Sequence, residues 1–179
     1  PCGCKFCITP IIAENPRLQS LQLGVYIACI TFTARRNTLT EGVQIAKILE
    51  ANGADAIDVS SAGYDTFNYW LEPVSFEPGW RKFMAKAIKE AVSIPVLAAN
   101  LIRSPEQAEA QLQEGTQDMI SLGRPHIADP HWANKAKEER AEDIKRCICC
   151  LYCIESMQVN AYSGDHGYCA VNPFVGEED

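Results

Sequence analysis

The chain has 179 residues, 47% of them hydrophobic and 22% charged, with a net charge of -7. That is globular composition with enough chain for one core, and the acidic balance leaves no basic surplus to neutralise phosphates, which argues against nucleic acid as the main partner. No apolar run reaches the length of a membrane span, and PCGCKFCITP lacks the basic start and apolar centre of a secretion signal, so a cytoplasmic protein is expected.

The chain starts without Met, as a fragment or a processed piece would. Residues 1–23 show no clean period and stay unassigned. Cys2, Cys4 and Cys7 crowd this stretch, and Pro10 and Pro16 interrupt any regular element. From Gly24 a rhythm begins. GVYIACITF is a β-rich apolar run, as in a strand buried on both faces. TLTEGVQIAKILEANG reads as a helix: Thr38 and Glu41 form a capping box, Ile45, Ile48 and Leu49 an apolar face, and Gly53 a stop. AIDVSSAG (56–63) is a second strand, followed by an aromatic loop, YDTFNYWLEPVSFEP. A helix with Phe83, Met84, Ala87, Ile88 and Ala91 on one side comes next.

IPVLAAN (94–100) reads as the third strand. In SPEQAEAQLQEG, Ser104 is an N-cap, Pro105 takes the first helical position and Gln107 completes a box. DMISLGR (118–124) is the fourth strand, and Asp129-Pro130 opens a helix through WANKAKEE. Alternation of four strands and four helices demands a parallel sheet with helices outside it. An open doubly wound sheet and a (β/α) barrel both fit. A full barrel needs eight such units and about 250 residues, so a barrel here would be the second half of one.

Two strand ends carry the functional signal, LAANLIRSPEQAE and SLGRPHIADP. Each strand finishes in a short turn that hands over to a helix, the place where barrels bind phosphate groups. Gly123 lets backbone approach closely, and Arg124 offers a forked, charged donor. On the residues alone, a turn glycine beside a surface arginine is an equal reading. His126, His131 and His166 read as caps or loop residues. Tyr64, Tyr69 and Trp70 either line a ligand's face or pack a loop. Lys135, Lys137, Glu138, Glu139 and Arg140 read as a solvated helix face.

Nine cysteines are many for this length. Without a secretion signal, metal or redox chemistry outranks disulfides. Cys147, Cys150 and Cys153 give C-x2-C-x2-C, a spacing that suits one face of an iron–sulfur cubane, with Cys169 in GYCAVNP as the natural fourth ligand. Four thiolates also suit a structural zinc, a rival that the spacing alone does not exclude. Cys149 is then spare, a small buried hydrophobe or a free thiol. Cys2, Cys4 and Cys7 lack a fourth partner nearby and read as incidental.

Four stretches occur in a telling order: NTLTEGVQIAKILEANGADAIDVSSAGYD, IPVLAANLIRSPEQAE, GTQDMISLGRPHIADPHWANKA and the cysteine segment ending CAVNP. With them the chain resembles the old yellow enzyme family of flavin oxidoreductases from about Gly24 to Pro173. The likeness is to its iron–sulfur branch of 2,4-dienoyl-CoA reductase, enoate reductase and trimethylamine dehydrogenase. The resemblance implies an α/β fold, the second half of a TIM (β/α)8 barrel, with an FMN-binding part at 24–140 and a 4Fe–4S-binding segment at 141–179. It implies that Ala99, Asn100, Gly123 and Arg124 hold the FMN phosphate, three of them through backbone N–H groups. It makes Cys147, Cys150, Cys153 and Cys169 the cluster ligands.

The implied reaction is reduction of the activated C=C bond of a small unsaturated carbonyl compound with NAD(P)H, in a branch where FAD/NAD(P)-binding domains follow the barrel. The chain departs from the family at Tyr26, where a flavin-facing arginine is usual. The family's proton donor lies in the first half of the barrel, so no catalytic acid is named. Open sheet edges leave room for a homo-oligomer or a complementing half-barrel as partner. The rival reading is a non-catalytic half-barrel that keeps an iron–sulfur or zinc module.

Overall fold

In this computed structural model the described residues are 24–30, with backbone alone, together with 38–63 and 66–177. Cys2, Cys4, Cys7 and Tyr64 therefore lie outside them, as does the Tyr26 side chain. The chain order is β1 (Gly24–Ile30), α1 (Leu39–Ala51), β2 (Ala56–Ser61), α2 (Phe67–Trp70), α3 (Lys82–Lys89) and β3 (Val96–Ala98). Then come α4 (Pro105–Gln113), β4 (Met119–Ile120), α5 (Arg124–Ala128), α6 (Trp132–Lys137), a 3-10 turn at Ala141–Asp143, and α7 (Tyr152–Asn160).

The strands form one parallel sheet in sequence order, β1-β2-β3-β4, among the described residues. Each crossover carries helix, as parallel pairing requires. This is the α/β, helix-outside architecture expected from the alternation, four consecutive units of a barrel wall. Period 2 in the strands decides the two faces. Ile57 and Val59 of β2, with Val96 and Ala98 of β3, are buried against Ala46 of α1 and Met84, Ala85 and Ile88 of α3. Asp58, Ser60 and Leu97 alternate onto the opposite face and are only half-buried.

The helix ends follow local chemistry. Thr38 Oγ1 accepts from Glu41 N–H at 3.3 Å and Glu41 Oε2 accepts from Thr38 N–H at 2.6 Å, the reciprocal box expected from the sequence. Gly53 ends the helix at φ +91°, a conformation that costs glycine little. Ser104 caps α4, its Oγ accepting from Gln107 N–H at 3.3 Å. The Gln107 side chain does not close that box. Its Oε1 accepts from Arg103 N–H at 2.9 Å, one residue earlier.

Packing revises several apolar faces. Ile48 is 61% exposed and Phe83 48% exposed. The fully buried positions are Gly42 and Ala46 in α1 and Met84, Ala85 and Ile88 in α3, and Ile45 and Leu49 pack half-buried against the same core, as expected. The fourth strand is shorter than 118–124, because Arg124 already starts α5. Asp129-Pro130 opens the helix over WANKAK, which stops two residues short of the expected end, and breaks it from the short α5 before it.

A second core joins Ile102, Ala108, Trp132 and Ile144. Asp129, 2% exposed, explains the break. Its carboxylate accepts from His131 N–H at 3.0 Å, Lys145 N–H at 2.9 Å and Lys135 Nζ at 2.6 Å. Lys135 thus belongs to a near-buried ion pair, not to a solvated face. Asn172 Nδ2 donates to Ile127 O at 3.0 Å, so both limbs of the cysteine segment are fastened to the α5 end.

Candidate cofactor site

Above the C-terminal ends of β2, β3 and β4 lies a cavity of about 280 Å³ lined by Ala99, Asn100, Gly123, Arg124, Glu72, Cys147 and Cys149, among others. It therefore unites both strand-end turns singled out in the sequence with the start of the cysteine segment. Its volume is at the small end for a ligand pocket.

Asn100 is 1% exposed and its side chain is structural. Oδ1 accepts from Arg81 N–H at 3.2 Å and Nδ2 donates to Gln111 Oε1 at 3.2 Å. The following Leu101 sits at φ +49°, and Ala62, just beyond β2, at φ +66°. Such strained backbone at strand ends costs about 1–3 kcal/mol and clusters at functional sites. Gly123 precedes α5, whose first-turn N–H groups have no carbonyl of their own helix to meet. A Cβ built on Gly123 would meet nothing within 4 Å. The backbone there borders open space, as close approach of an anion requires.

Sequence reasoning missed Glu72 and Arg81. Glu72 is 1% exposed and Arg81 8%. Arg81 Nε and Nη2 donate to Ala99 O at 3.1 and 2.9 Å, and Nη1 donates to Ser61 Oγ at 2.9 Å. Nη1 also pairs with Glu72 Oε1 at 3.0 Å. This arginine rivets the ends of β2 and β3. Trp80 Nε1 donates to Glu72 Oε1 at 3.2 Å. Arg124 Nη2 donates to Glu72 Oε2 at 3.1 Å and Nη1 to the Glu72 carbonyl at 2.6 Å. A buried carboxylate needs charged partners, and the only signal in the sequence was a Glu in a run of aromatics, WLEP.

Trp70 lines the cavity, whereas Tyr69 packs edge-on against Phe76, centroids 5.6 Å apart. His126 meets Trp132 edge-on, centroids 6.5 Å apart, and burial holds its pKa below the ordinary value. His166 pairs with Asp165 at 3.2 Å. Burial pushes the Asp58 carboxyl up, against a hydrogen bond from Ser121 and the charge of Arg81.

Cys147, Cys149, Cys150, Cys153 and Cys169 are free thiols. Cys149 and Cys153 are buried, Cys147 and Cys169 half-buried, and Cys150 exposed. Among the described residues no three His, Cys, Asp or Glu side chains converge into a metal-holding group. Cys147 and Cys169 nevertheless each lie within electrostatic reach of Cys153. Burial pushes the Cys153 thiol up, and the Cys147 and Cys169 sulfurs add to it. Cys149 N–H donates to Cys147 Sγ at 3.4 Å. The bond between the two side chains raises the Cys147 thiol and holds Cys149 down to about 6, against burial and with help from Arg124 and Arg103. Cys149 and Leu151 take φ +55° and +64°, turning the chain tightly between the cysteines. Thiols are soft ligands of the kind that suit a thiolate-bound metal, and Cys150 is the one of the four expected ligands that is exposed.

The model of the NADH:flavin oxidoreductase / NADH oxidase family matches residues 11–143. An NADH oxidase of Thermoanaerobacter brockii is 43% identical over 148 residues, 82% of this chain and 22% of its own. A cinnamate reductase of Clostridium sporogenes is 32% identical over 82% of this chain and 22% of its own. The solved 2-naphthoyl-CoA reductase in complex with 2-naphthoyl-CoA superposes with a TM-score of 0.76 at 28% identity, over 86% of this chain and 23% of that one. The chain thus spans less than a quarter of the length of these relatives.

Proposed function

Because the chain belongs to the NADH:flavin oxidoreductase / NADH oxidase family, we propose that it supplies the FMN-phosphate grip and the iron–sulfur ligands of an oxidoreductase acting on activated C=C bonds. The observation that carries this reading is the shared cavity: Ala99, Asn100, Gly123 and Arg124 line it together with Cys147. A phosphate site and a thiolate site side by side suit a flavin next to an electron carrier. The relative named a cinnamate reductase supports an unsaturated carbonyl substrate, and the NADH oxidase supports a nicotinamide donor.

In this reading the chain divides at 140/141 into a flavin-binding part and a 4Fe–4S segment with Cys147, Cys150, Cys153 and Cys169 as ligands. When bound, the two groups supply hydride transfer to the β-carbon and single-electron relay from NAD(P)H. The protein's own share is position. Arg81 holds the Ala99 carbonyl and the Asn100 turn in place. Gly123 keeps space for the phosphate against its backbone. Asp129 and Asn172 fix the cysteine segment beside it.

An absorption spectrum with iron and sulfide analysis, on protein purified without oxygen, tests the proposal. Flavin together with about four irons per chain, as a cubane needs, is expected. Iron without flavin would remove FMN from this chain, and zinc or no metal would leave the non-catalytic half-barrel. That reading has one observation behind it: β1 and β4 each pair on one side only among the described residues.

A further inference from the structure

Both terminal nitrogens of Arg124, the residue expected to grip a phosphate, point to one neighbour. Nη1 reaches the Glu72 carbonyl at 2.6 Å and Nη2 the Glu72 carboxylate at 3.1 Å. The carboxylate is not a loose partner. Arg81 at 3.0 Å and Trp80 at 3.2 Å hold its other oxygen, and the side chain is 2% exposed. Glu72 and Gly123 line the same cavity. An anion that takes the Arg124 fork must therefore displace a fixed carboxylate or share the arginine with it. Two anions so placed repel each other in a site of low dielectric.

We propose that Glu72 is an internal competitor for phosphate: it holds Arg124 when the cavity is empty and sets how tightly a phosphate monoester binds. This rests on reading the cavity as a phosphate site and adds what governs its affinity. The arithmetic of charge is simple. Arg81, Arg103 and Arg124 bring three positive charges to the cavity lining and Glu72 cancels one of them. Without that carboxylate the excess of positive charge in the pocket rises by one, and the Arg124 guanidinium loses its carboxylate partner, which is costly at a half-buried site. An anion then becomes a requirement of the folded state and not an intruder in it.

The test is Glu72→Gln in the full chain, because glutamine keeps the shape and one oxygen to accept from Trp80 and Arg81, while its NH2 group cannot accept from Arg124 and the charge is gone. FMN, riboflavin and inorganic phosphate are titrated by flavin fluorescence and by thermal denaturation. The expected result is FMN binding at least about tenfold tighter than in the wild type, with riboflavin, which lacks the phosphate, unchanged. Phosphate is also expected to raise the denaturation midpoint of E72Q more than that of the wild type, by linkage. If E72Q folds poorly alone, recovery on adding phosphate supports the proposal and failure to recover overturns it.

Equal FMN affinities, or weaker binding of both flavins by E72Q, would show that Glu72 only braces its loop and would overturn the proposal while leaving the FMN site standing. Phosphate binding gained by E72Q when neither protein takes flavin would keep the proposal and remove FMN.

Discussion

Replacing Asp129 by alanine tests whether the cysteine segment is held by one buried carboxylate. The wild-type side chain accepts from Lys145 N–H at 2.9 Å, His131 N–H at 3.0 Å and Lys135 Nζ at 2.6 Å. A neutral donor left without an acceptor costs about 1 kcal/mol or more, and a charged bond about 1.5–3 kcal/mol. Lys135 keeps a second acceptor, the Asp143 carbonyl at 3.0 Å, which reduces its share. The expected loss for Asp129→Ala is about 3 kcal/mol, and about half that for Asp129→Asn, which retains one oxygen. Urea unfolding followed by tryptophan fluorescence measures it, Trp132 being 6% exposed three residues away.

The pH dependence has a definite sign. Burial alone would raise the Asp129 pKa, but the bonds from Lys135, Lys145 and His131 outweigh it and hold the group below its usual value. The unfolded chain therefore takes up the proton first as pH falls. The contribution is complete above the unfolded value, about 3.9, and disappears as pH falls through the folded one. The gap between wild type and variant should narrow below about pH 4. A loss under about 0.5 kcal/mol, the level of a surface change, or a gap independent of pH, would refute the reasoning. Iron bound after anaerobic reconstitution should fall with stability, since Lys145 is two residues before Cys147.

Ile88→Ala, at a site 0% exposed in the main core, should cost about 2–5 kcal/mol in the same urea experiment. Gly79 sits at φ +80°, and a Cβ there would lie 2.9 Å from Gln111 Nε2, so Gly79→Ala should lose about 1–2 kcal/mol; an unchanged midpoint would show that the loop shifts freely. Cys149→Ser should leave iron content unchanged, whereas Cys153→Ser should lower it, and iron and sulfide analysis separates the two. Loss of iron in Cys149→Ser alone would move the fourth ligand from Cys150 to Cys149.

The strand–helix alternation, the Thr38 and Ser104 caps and the Gly53 stop were all legible in the residues, because period and capping are local properties. So was the parallel pairing, since parallel strands need helical crossovers, whereas the order β1-β2-β3-β4 came from the structure. Apolar faces were less legible. Ile48 and Phe83 have the right chemistry for the core and lie outside it, because the angle at which a helix meets the sheet decides which stripe is buried. The strand end SLGR was marked as a phosphate turn, yet the neighbour of Arg124 could not be read from it. Glu72 lies 52 residues earlier in the chain. Residue types alone determined the parallel α/β frame and the cysteine spacing. Only tertiary structure decided that Glu72, Arg81 and Arg124 share one buried charge network at the cavity, because such a network exists only where distant strand ends exclude water together.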